Sequence, residues 1–392
     1  MDFKQQIESL FSELVALRRD FHRHPELGDQ EFRTAQVVED YLSSCGLFPR
    51  RVTPTGVVAE LAGSKTGRTV ILRADMDALP VLEQTDLPFK SLEPGKMHAC
   101  GHDGHTAMLL VAAKILSSHR KDLQGRVVFV FQPNEENSGA LPMIEAGLLR
   151  DYPADACLGM HLWPSIPTGQ IGLSEGPVMA GLTQFRIEII GKGGHTGYPQ
   201  AAIDPILCAA EVIQTLQMIQ TREISALEPT ILVIGKICGG TASNIIPDSV
   251  TLEGTVRYLH IDEAKAARDI QERMERIIAG VCTAHRAEYR FIVLASSLAV
   301  VNHPSITELV RSCALDIVGS EKNITRIVTP VGEDFSEFSS RVPGVFLFLG
   351  CGNEALDACF PHHHPHFNFD EDALKIGVEL YVRTAIRYLS TG

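Results

Sequence analysis

The chain has 392 residues, 45% hydrophobic and 21% charged. That is the make-up of a folded globular protein, not of a disordered chain, a fibre or a disulfide-stapled mini-protein. Lysine and arginine number 35 against 48 aspartates and glutamates, a net charge of −13 with no basic tract. Nucleic acids and anionic membranes, whose binding depends on phosphate neutralisation, are set aside as partners.

The nine cysteines are odd in number and scattered, so they read as reduced thiols of a cytoplasmic protein. The opening MDFKQQIESLFSELVALRRDFHRHPEL has the apolar spacing of an amphipathic helix. It lacks the apolar core and small-residue cleavage site of a signal peptide. No run of about 18 apolar residues occurs, so no transmembrane helix is expected.

Helical spacing runs to residue 38, broken by HRHPELG. Short apolar runs then alternate with helical stretches. TVIL (69–72) ends in RADMD, a helix is predicted over 108–116, VVFVFQ (127–132) ends in PNEE, and ACLGMHLW spans 156–163. Such runs, with no polar alternation, predict strands buried on both faces of a helix-covered, mostly parallel sheet. After about residue 180 the pattern changes. LTQFRIEIIGK alternates, as a strand with one wet face does. A helix (204–219), TILVIGKICGG, SVTLEGTVRYL, a long helix (262–279) and AEYRFIVLA follow. This β-α-β-β-α-β order is that of the ferredoxin-like layout. VFLFLG (345–350) and a helix over 371–388 return to the first style. The predicted architecture is an α/β domain built from 1–180 and 296–392, interrupted by an α+β domain over 181–295.

Polar clusters sit where the buried strands end. Asp75 and Asp77 follow TVIL; Gln132, Glu135 and Glu136 follow VVFVF; His161 follows ACLGM. His362, His363, His364 and His366 lie beyond VFLFL. In open α/β sheets the ligand crevice lies outside the carboxyl ends of the strands. The densest motif, MHACGHDGHT, holds His98, Cys100, His102, Asp103 and His105. Cysteine, histidine and carboxylate are the ligand types of zinc and similar divalent ions. Ala99, Gly101 and Gly104 leave room for a tight turn.

The segments RHPELG, RADMDALP, MHACGHDGHT, VFVFQPNEE, GMHLWP, GKGGHTG, ASNIIPD with GTVR, GEDFS and HHHPHFNFDEDAL resemble those of a known family. It comprises the di-metal amidohydrolases, among them aminoacylases, hippurate hydrolases, indoleacetyl-amino-acid hydrolases and related carboxypeptidases. The motifs run from residue 22 to about 374, nearly the whole chain. The resemblance implies hydrolysis of the amide bond of N-acyl amino acids, or of similar carboxylate-bearing amides, to an acid and a free amino acid. A carboxypeptidase or dipeptidase would use the same machinery. It implies two divalent metal ions per chain, zinc or manganese, with cobalt and nickel also compatible with mixed sulfur, nitrogen and oxygen donors.

By motif position the implied ligands are Cys100, His102, Glu136, His161 and one histidine of the HHHP run. The ligand two residues before Pro365 is His363, with His362 and His364 as the fallbacks. Glu135 is the implied general base. His195 of GKGGHTG would stabilise the carbonyl oxygen as it becomes anionic. Asn244 and Arg257 would hold the substrate carboxylate. Asp75-Met76-Asp77 stands where the aminopeptidase-like branch has HxD, so the resemblance is to the cysteine-bearing branch. Cys100 would then be a thiolate able to touch both ions, and Asp75 and Asp77 would orient ligands. GEDFS would line the pocket. The inserted domain corresponds to a lid or dimerisation domain, which implies a homodimer. Two rivals differ in class. A thiol hydrolase using Cys100 leaves Glu136, His161 and His363 without a task. A non-catalytic metal or ligand binder has no need of Glu135.

Overall fold

A computed structural model describes residues 3–391. The chain divides into two compact units: Met1–Val178 with Val301–Val328 and Glu333–Gly392, and Met179–Val300 with Thr329–Gly332. The main elements begin with helices α1 (Phe3–Arg23) and α2 (Phe32–Ser44) and strands β1 (Val57–Ala62) and β2 (Lys65–Asp75). Helix α3 (His102–Ser118) and strands β3 (Gln124–Gln132), β4 (Ala156–Pro167) and β5 (Gly181–Ile190) follow. Next come helix α4 (Pro205–Met218), strands β6 (Thr230–Gly239) and β7 (Ser249–Tyr258), helix α5 (Glu263–His285) and strand β8 (Glu288–Ser297). The chain ends with helix α6 (Pro304–Val318), strand β9 (Gly344–Gly352) and helix α7 (Ala373–Ser390).

The first unit holds an eight-stranded sheet. Its long strands run in the order β1-β3-β2-β4-β9, with two-residue strands at both edges. The four from β3 to β9 are parallel and β1 is antiparallel to β3. Val70, Leu72, Phe129, Leu158 and Leu347 on one face share a buried cluster with residues of α1, α3 and α7. Val128, Val130, Phe346 and Phe348 on the other face are buried as well. This is why these strands read as unbroken apolar runs. Helix α3 is buried from His102 to Ala113, so it too lacks a polar stripe. Truncating one of its leucines, such as Leu110, to alanine would cost about 2–5 kcal/mol.

Strand register opens the site. β2 pairs with β3 as far as Asp75 against Gln132. It pairs with β4 only from Val70 against Ala156 to Leu72 against Leu158. β4 continues beyond that point beside β9 alone. The sheet therefore splits at its carboxyl end, between Asp75 and His161.

The second unit is a four-stranded antiparallel sheet in the order β6-β7-β5-β8. Phe185, Ile187, Ile189, Leu252 and Val256 pack on α4 and α5 through Val212, Leu216, Ile270, Met274 and Ile278. Arg186 and Glu253 pair on the opposite face at 2.8 Å, which accounts for the alternating pattern of β5. Both helices start at aspartate caps. Asp204 accepts from the Ile206 N–H at 2.9 Å ahead of Pro205, and Asp262 accepts from Lys265 N–H at 3.1 Å. Thr329–Gly332 belongs to this unit because Ala180 N–H donates to the Val331 carbonyl at 2.9 Å. Among the described residues no helix is long and apolar enough to cross a membrane.

Candidate active site

The MHACGHDGHT segment turns into α3 at Gly101, whose φ of +93° is in the left-handed region that glycine enters without strain. Gly104 serves packing instead: a Cβ there would lie 2.6 Å from Leu162 Cδ1 and 2.8 Å from the Phe369 ring. The turn aims His102 into the crevice. Its Nδ1 lies 2.9 Å from the Asp77 carbonyl oxygen, which can only accept, so Nδ1 carries the proton. That leaves a lone pair on Nε2, which is buried and has no hydrogen-bond partner.

His161 repeats the arrangement. Its Nδ1 donates to the Leu162 carbonyl at 2.7 Å, and its Nε2 lies 3.3 Å from Cys100 Sγ. His363 Nε2 lies 3.1 Å from Glu136 Oε1. The donor atoms of Cys100, His102 and His161 lie within 4.8 Å of one another, as do those of Cys100, Glu136 and His363, and of His102, Glu135 and Glu136. Ligands bound at about 2.0–2.3 Å stand roughly 3.3–4.6 Å apart around one ion. The donor set therefore fits divalent metal, and Cys100 belongs to two overlapping groups. His363 sits at φ +65°, a conformation costly for a residue with a side chain. Its N–H is tied to the Ala99 carbonyl at 2.8 Å.

Burial lowers the His102 pKa, but Asp75 and Cys100 outweigh it and raise it well above the usual range, so a metal ion would displace a proton there. Burial pushes the Cys100 thiol well above its ordinary pKa, and only a neighbouring cation would hold it as thiolate. Burial, with His105 and His362 close by, holds His161 well below the usual range and so neutral, the form a metal ligand needs. Glu135 is raised well above the carboxylate range by burial and then by Glu333, Asp334 and Glu136.

Two buried ionic clusters support these groups. Arg73 donates to Asp75 Oδ2 at 2.6 Å, Gln132 Oε1 at 2.8 Å, Glu333 Oε1 at 2.9 Å and Asp334 Oδ1 at 2.8 Å. On the α1 side, Asp103 Oδ2 accepts from Arg18 Nε at 2.9 Å and faces His22 Nδ1 at 2.8 Å. His22 immediately precedes RHPELG at the end of α1, so α1 braces α3 where the chain enters that motif. GEDFS, expected to line the pocket, buries Glu333 and Asp334 against Arg73 and beside Glu135. The sequence hides both clusters, since Arg73 meets Glu333 and Asp334 across 260 and 261 residues and Arg18 meets Asp103 across 85.

The structure thus brings Cys100, His102, Glu135, Glu136, His161 and His363 together. His362 turns away to donate from Nε2 to the Leu162 carbonyl at 2.8 Å, and the His364 ring stacks on Phe360 at 4.7 Å. Trp163 packs between His362 (4.7 Å) and Phe348 (4.8 Å). His195, Asn244 and Arg257 lie in the second unit. His195 faces Ile245 across a two-residue strand pair, which brings Asn244 beside it. The exposed His195 ring accepts from Gly197 N–H at Nδ1, 2.9 Å away. Arg257 on β7 donates from Nη1 to the Pro330 carbonyl at 2.8 Å.

This fold and donor set define a metal-dependent hydrolase. The chain belongs to peptidase family M20/M25/M40, whose model matches residues 71–387. It is 37% identical over 388 residues to an N-acetylcysteine deacetylase of Bacillus subtilis, covering 98% of this chain and 99% of that protein. It is 39% identical over 385 residues to the IAA-amino acid hydrolase ILR1-like 4 of Arabidopsis thaliana, covering 97% and 86%. The solved structure of the Bacillus subtilis YXEP protein, described as a dinuclear metal-binding peptidase of the M20 family, superposes with a TM-score of 0.86. The identity is 34%, over 98% of this chain and all of that one.

Proposed function

We propose that the protein hydrolyses the amide bond of N-acyl amino acids, with Glu135 as the proton carrier beside a two-ion site. Cys100, His102, Glu136, His161 and His363 would hold the ions. Zinc or manganese suits this mixed donor set, and cobalt or nickel is compatible with it. When bound, such ions lower the pKa of water and polarise a carbonyl. The observation that carries the reading is Glu135 itself, whose Oε2 lies 3.9 Å from His102 Nε2. A carboxyl group with a raised pKa can take a proton from the attacking water and return it to the departing amine. Amide cleavage needs that return, because an amine anion leaves poorly.

The second unit is assigned the roles of lid and dimerisation domain. His195 accepts at Nδ1, so its proton sits on Nε2, free to donate to a carbonyl oxygen that gains charge. Arg257 and Asn244 are assigned to the substrate carboxylate. The edge strand β6 shows Ile231, Val233 and Ile237 half exposed, a surface suited to pairing two copies. All nine cysteines are free, in keeping with the cytoplasm.

The test is metal analysis of the purified protein beside a panel of N-acetyl, N-benzoyl and indoleacetyl amino acids. Turnover should disappear on chelation and return with added metal. No turnover of any acyl amino acid by the metal-loaded protein would overturn the reading. The family's peptidases favour one alternative, a carboxypeptidase or dipeptidase, and dipeptides in the same panel decide it.

A further inference from the structure

Three histidines converge on the backbone of Leu162. Its N–H donates to His105 Nε2 at 2.9 Å. Its carbonyl faces His161 Nδ1 at 2.7 Å and His362 Nε2 at 2.8 Å. An N–H can only donate and a carbonyl can only accept, so the protons are placed without choice. His105 is unprotonated at Nε2, and its Nδ1–H goes to Asp75 Oδ1 at 2.6 Å. The other Asp75 oxygen is held by Arg73 at 2.6 Å. Both nitrogens of His105 are therefore engaged, and neither can hold an ion, although the residue stands in the same motif as Cys100 and His102.

The place of this contact matters. β4 has lost β2 as a neighbour beyond Leu158. The Leu162 N–H consequently has no strand partner on that side, and His105 supplies the acceptor. The bonded N–H belongs to the peptide that joins His161 to Leu162. In an extended strand the N–H and C=O of one residue point to the same side, so the bond to His105 holds the side on which the Leu162 carbonyl sits, and that carbonyl decides which nitrogen of His161 is protonated.

We propose that His105 is a positioning residue for His161. Through Leu162 it keeps the proton of His161 on Nδ1 and the lone pair of Nε2 turned toward Cys100. The proposal rests on His161 being a metal ligand, as argued above, but its first readout needs no metal.

Three variants separate the contacts. A glutamine reaches the position of Nε2 and can still accept from Leu162. An asparagine reaches only the position of Nδ1 and keeps the Asp75 contact alone. A phenylalanine keeps neither. In metal-free protein with 15N-labelled histidine, His161 should show the Nδ1–H tautomer in the wild type and in H105Q. H105N and H105F should show a mixture. Zinc affinity, measured by competition with a chromophoric chelator, should stay within about threefold in H105Q and weaken about 10- to 100-fold in H105N and H105F. If H105N keeps the wild-type tautomer and zinc affinity, or H105Q is as weak as H105F, the proposal is overturned. H105N and H105Q are both amides, so their comparison stands even if H105F fails to fold. A wild type with the expected tautomer but no zinc binding would overturn the metal reading and leave the tautomer lock in place.

Discussion

Asp77 grips His102 twice, through its main-chain oxygen at 2.9 Å and its Oδ1 at 3.2 Å from the same ring nitrogen. The same carboxylate accepts from the Glu135 N–H at 3.0 Å and the Glu136 N–H at 3.2 Å. One residue just beyond a buried strand thus sets the tautomer of His102 and holds the turn that bears the two glutamates. Such partners typically contribute 10- to 100-fold in metal affinity. Asp77→Ala should weaken zinc binding by about that factor, read by chelator competition. Asp77→Asn should fall between it and the wild type, because the amide oxygen can still accept from His102 Nδ1 and the Glu135 N–H, both of which Oδ1 serves now. Unchanged affinity in Asp77→Ala would show that the carboxylate is dispensable.

Glu135 and Glu136 are neighbours with different surroundings. Glu136 meets His363 and Cys100, whereas Glu135 faces His102 and the carboxylates Glu333 and Asp334. Glu135→Gln should keep its metal and lose at least about 10²-fold in kcat. Glu136→Gln should lose metal. Elemental analysis beside kinetics separates the two, and equal metal loss in both variants would contradict the assignment.

Much of this was legible in the chain because buried parallel strands announce themselves. TVIL, VVFVF and ACLGM each end at a polar residue, and those ends meet in one crevice. His363 was separable from His362 and His364 only by its distance from Pro365, since local chemistry cannot rank three adjacent imidazoles. In the structure the His363 ring reaches Glu136, His362 bonds a carbonyl and His364 stacks on Phe360. Arg73 was opaque. In RADMD it looks like the first polar residue of a strand end, yet its guanidinium meets Glu333, 260 residues further on. The parting of β2 from β4 was equally hidden, because register is a property of pairs of strands. His105 could be seen as a candidate donor, but its true partner is a backbone N–H that only this parting leaves free.

Cys100 offers a chemical test of the metal site. Its thiol is buried and pushed well up in pKa by that burial. It should react slowly with iodoacetamide in the metal-loaded protein, where the sulfur is engaged. Stripping the metal should raise the rate, and zinc added before the alkylating agent should restore protection. Identical rates with and without metal, followed by mass spectrometry of the MHACGHDGHT peptide, would remove Cys100 from the ligand set.

Glu31 provides a pH signature. It is fully buried and accepts from the Asn134 N–H at 2.9 Å, just ahead of the Glu135–Glu136 turn. Burial, with Asp77 nearby, pushes its pKa up to about 7. The folded state therefore binds a proton that the unfolded chain has lost above about pH 4.5. Stability contributed by that proton is present at low pH and declines as pH rises toward 7. Glu31→Gln removes the titration. The variant and wild type should unfold at similar temperatures at pH 5, and the variant should gain at pH 8, by up to about 3 kcal/mol. A difference between them that does not change with pH would refute the assignment.

Arg73 is the most demanding residue in the first unit. One guanidinium serves Asp75, Gln132, Glu333 and Asp334 in different directions, all within 2.9 Å and all buried. Three carboxyl groups around one cation are more negative charge than the site can hold. Burial accordingly raises Glu333 to about 8 and Asp334 to about 6, although Arg73 opposes both shifts. Arg73 is the cation that pairs with these carboxyl groups. Removing it leaves their negative charge uncompensated, at a cost of about 3–5 kcal/mol. Arg73→Met should lower thermal stability by that order. Arg73→Lys should recover little, because an ammonium on a flexible stem lacks the planar fork that spans four acceptors. Adding Asp334→Asn to Arg73→Met should restore part of the loss by removing one of the stranded charges. If Arg73→Lys matches the wild type, charge alone is what the site needs. If the double variant is no better than Arg73→Met, the cost lies in packing and not in unpaired carboxylates.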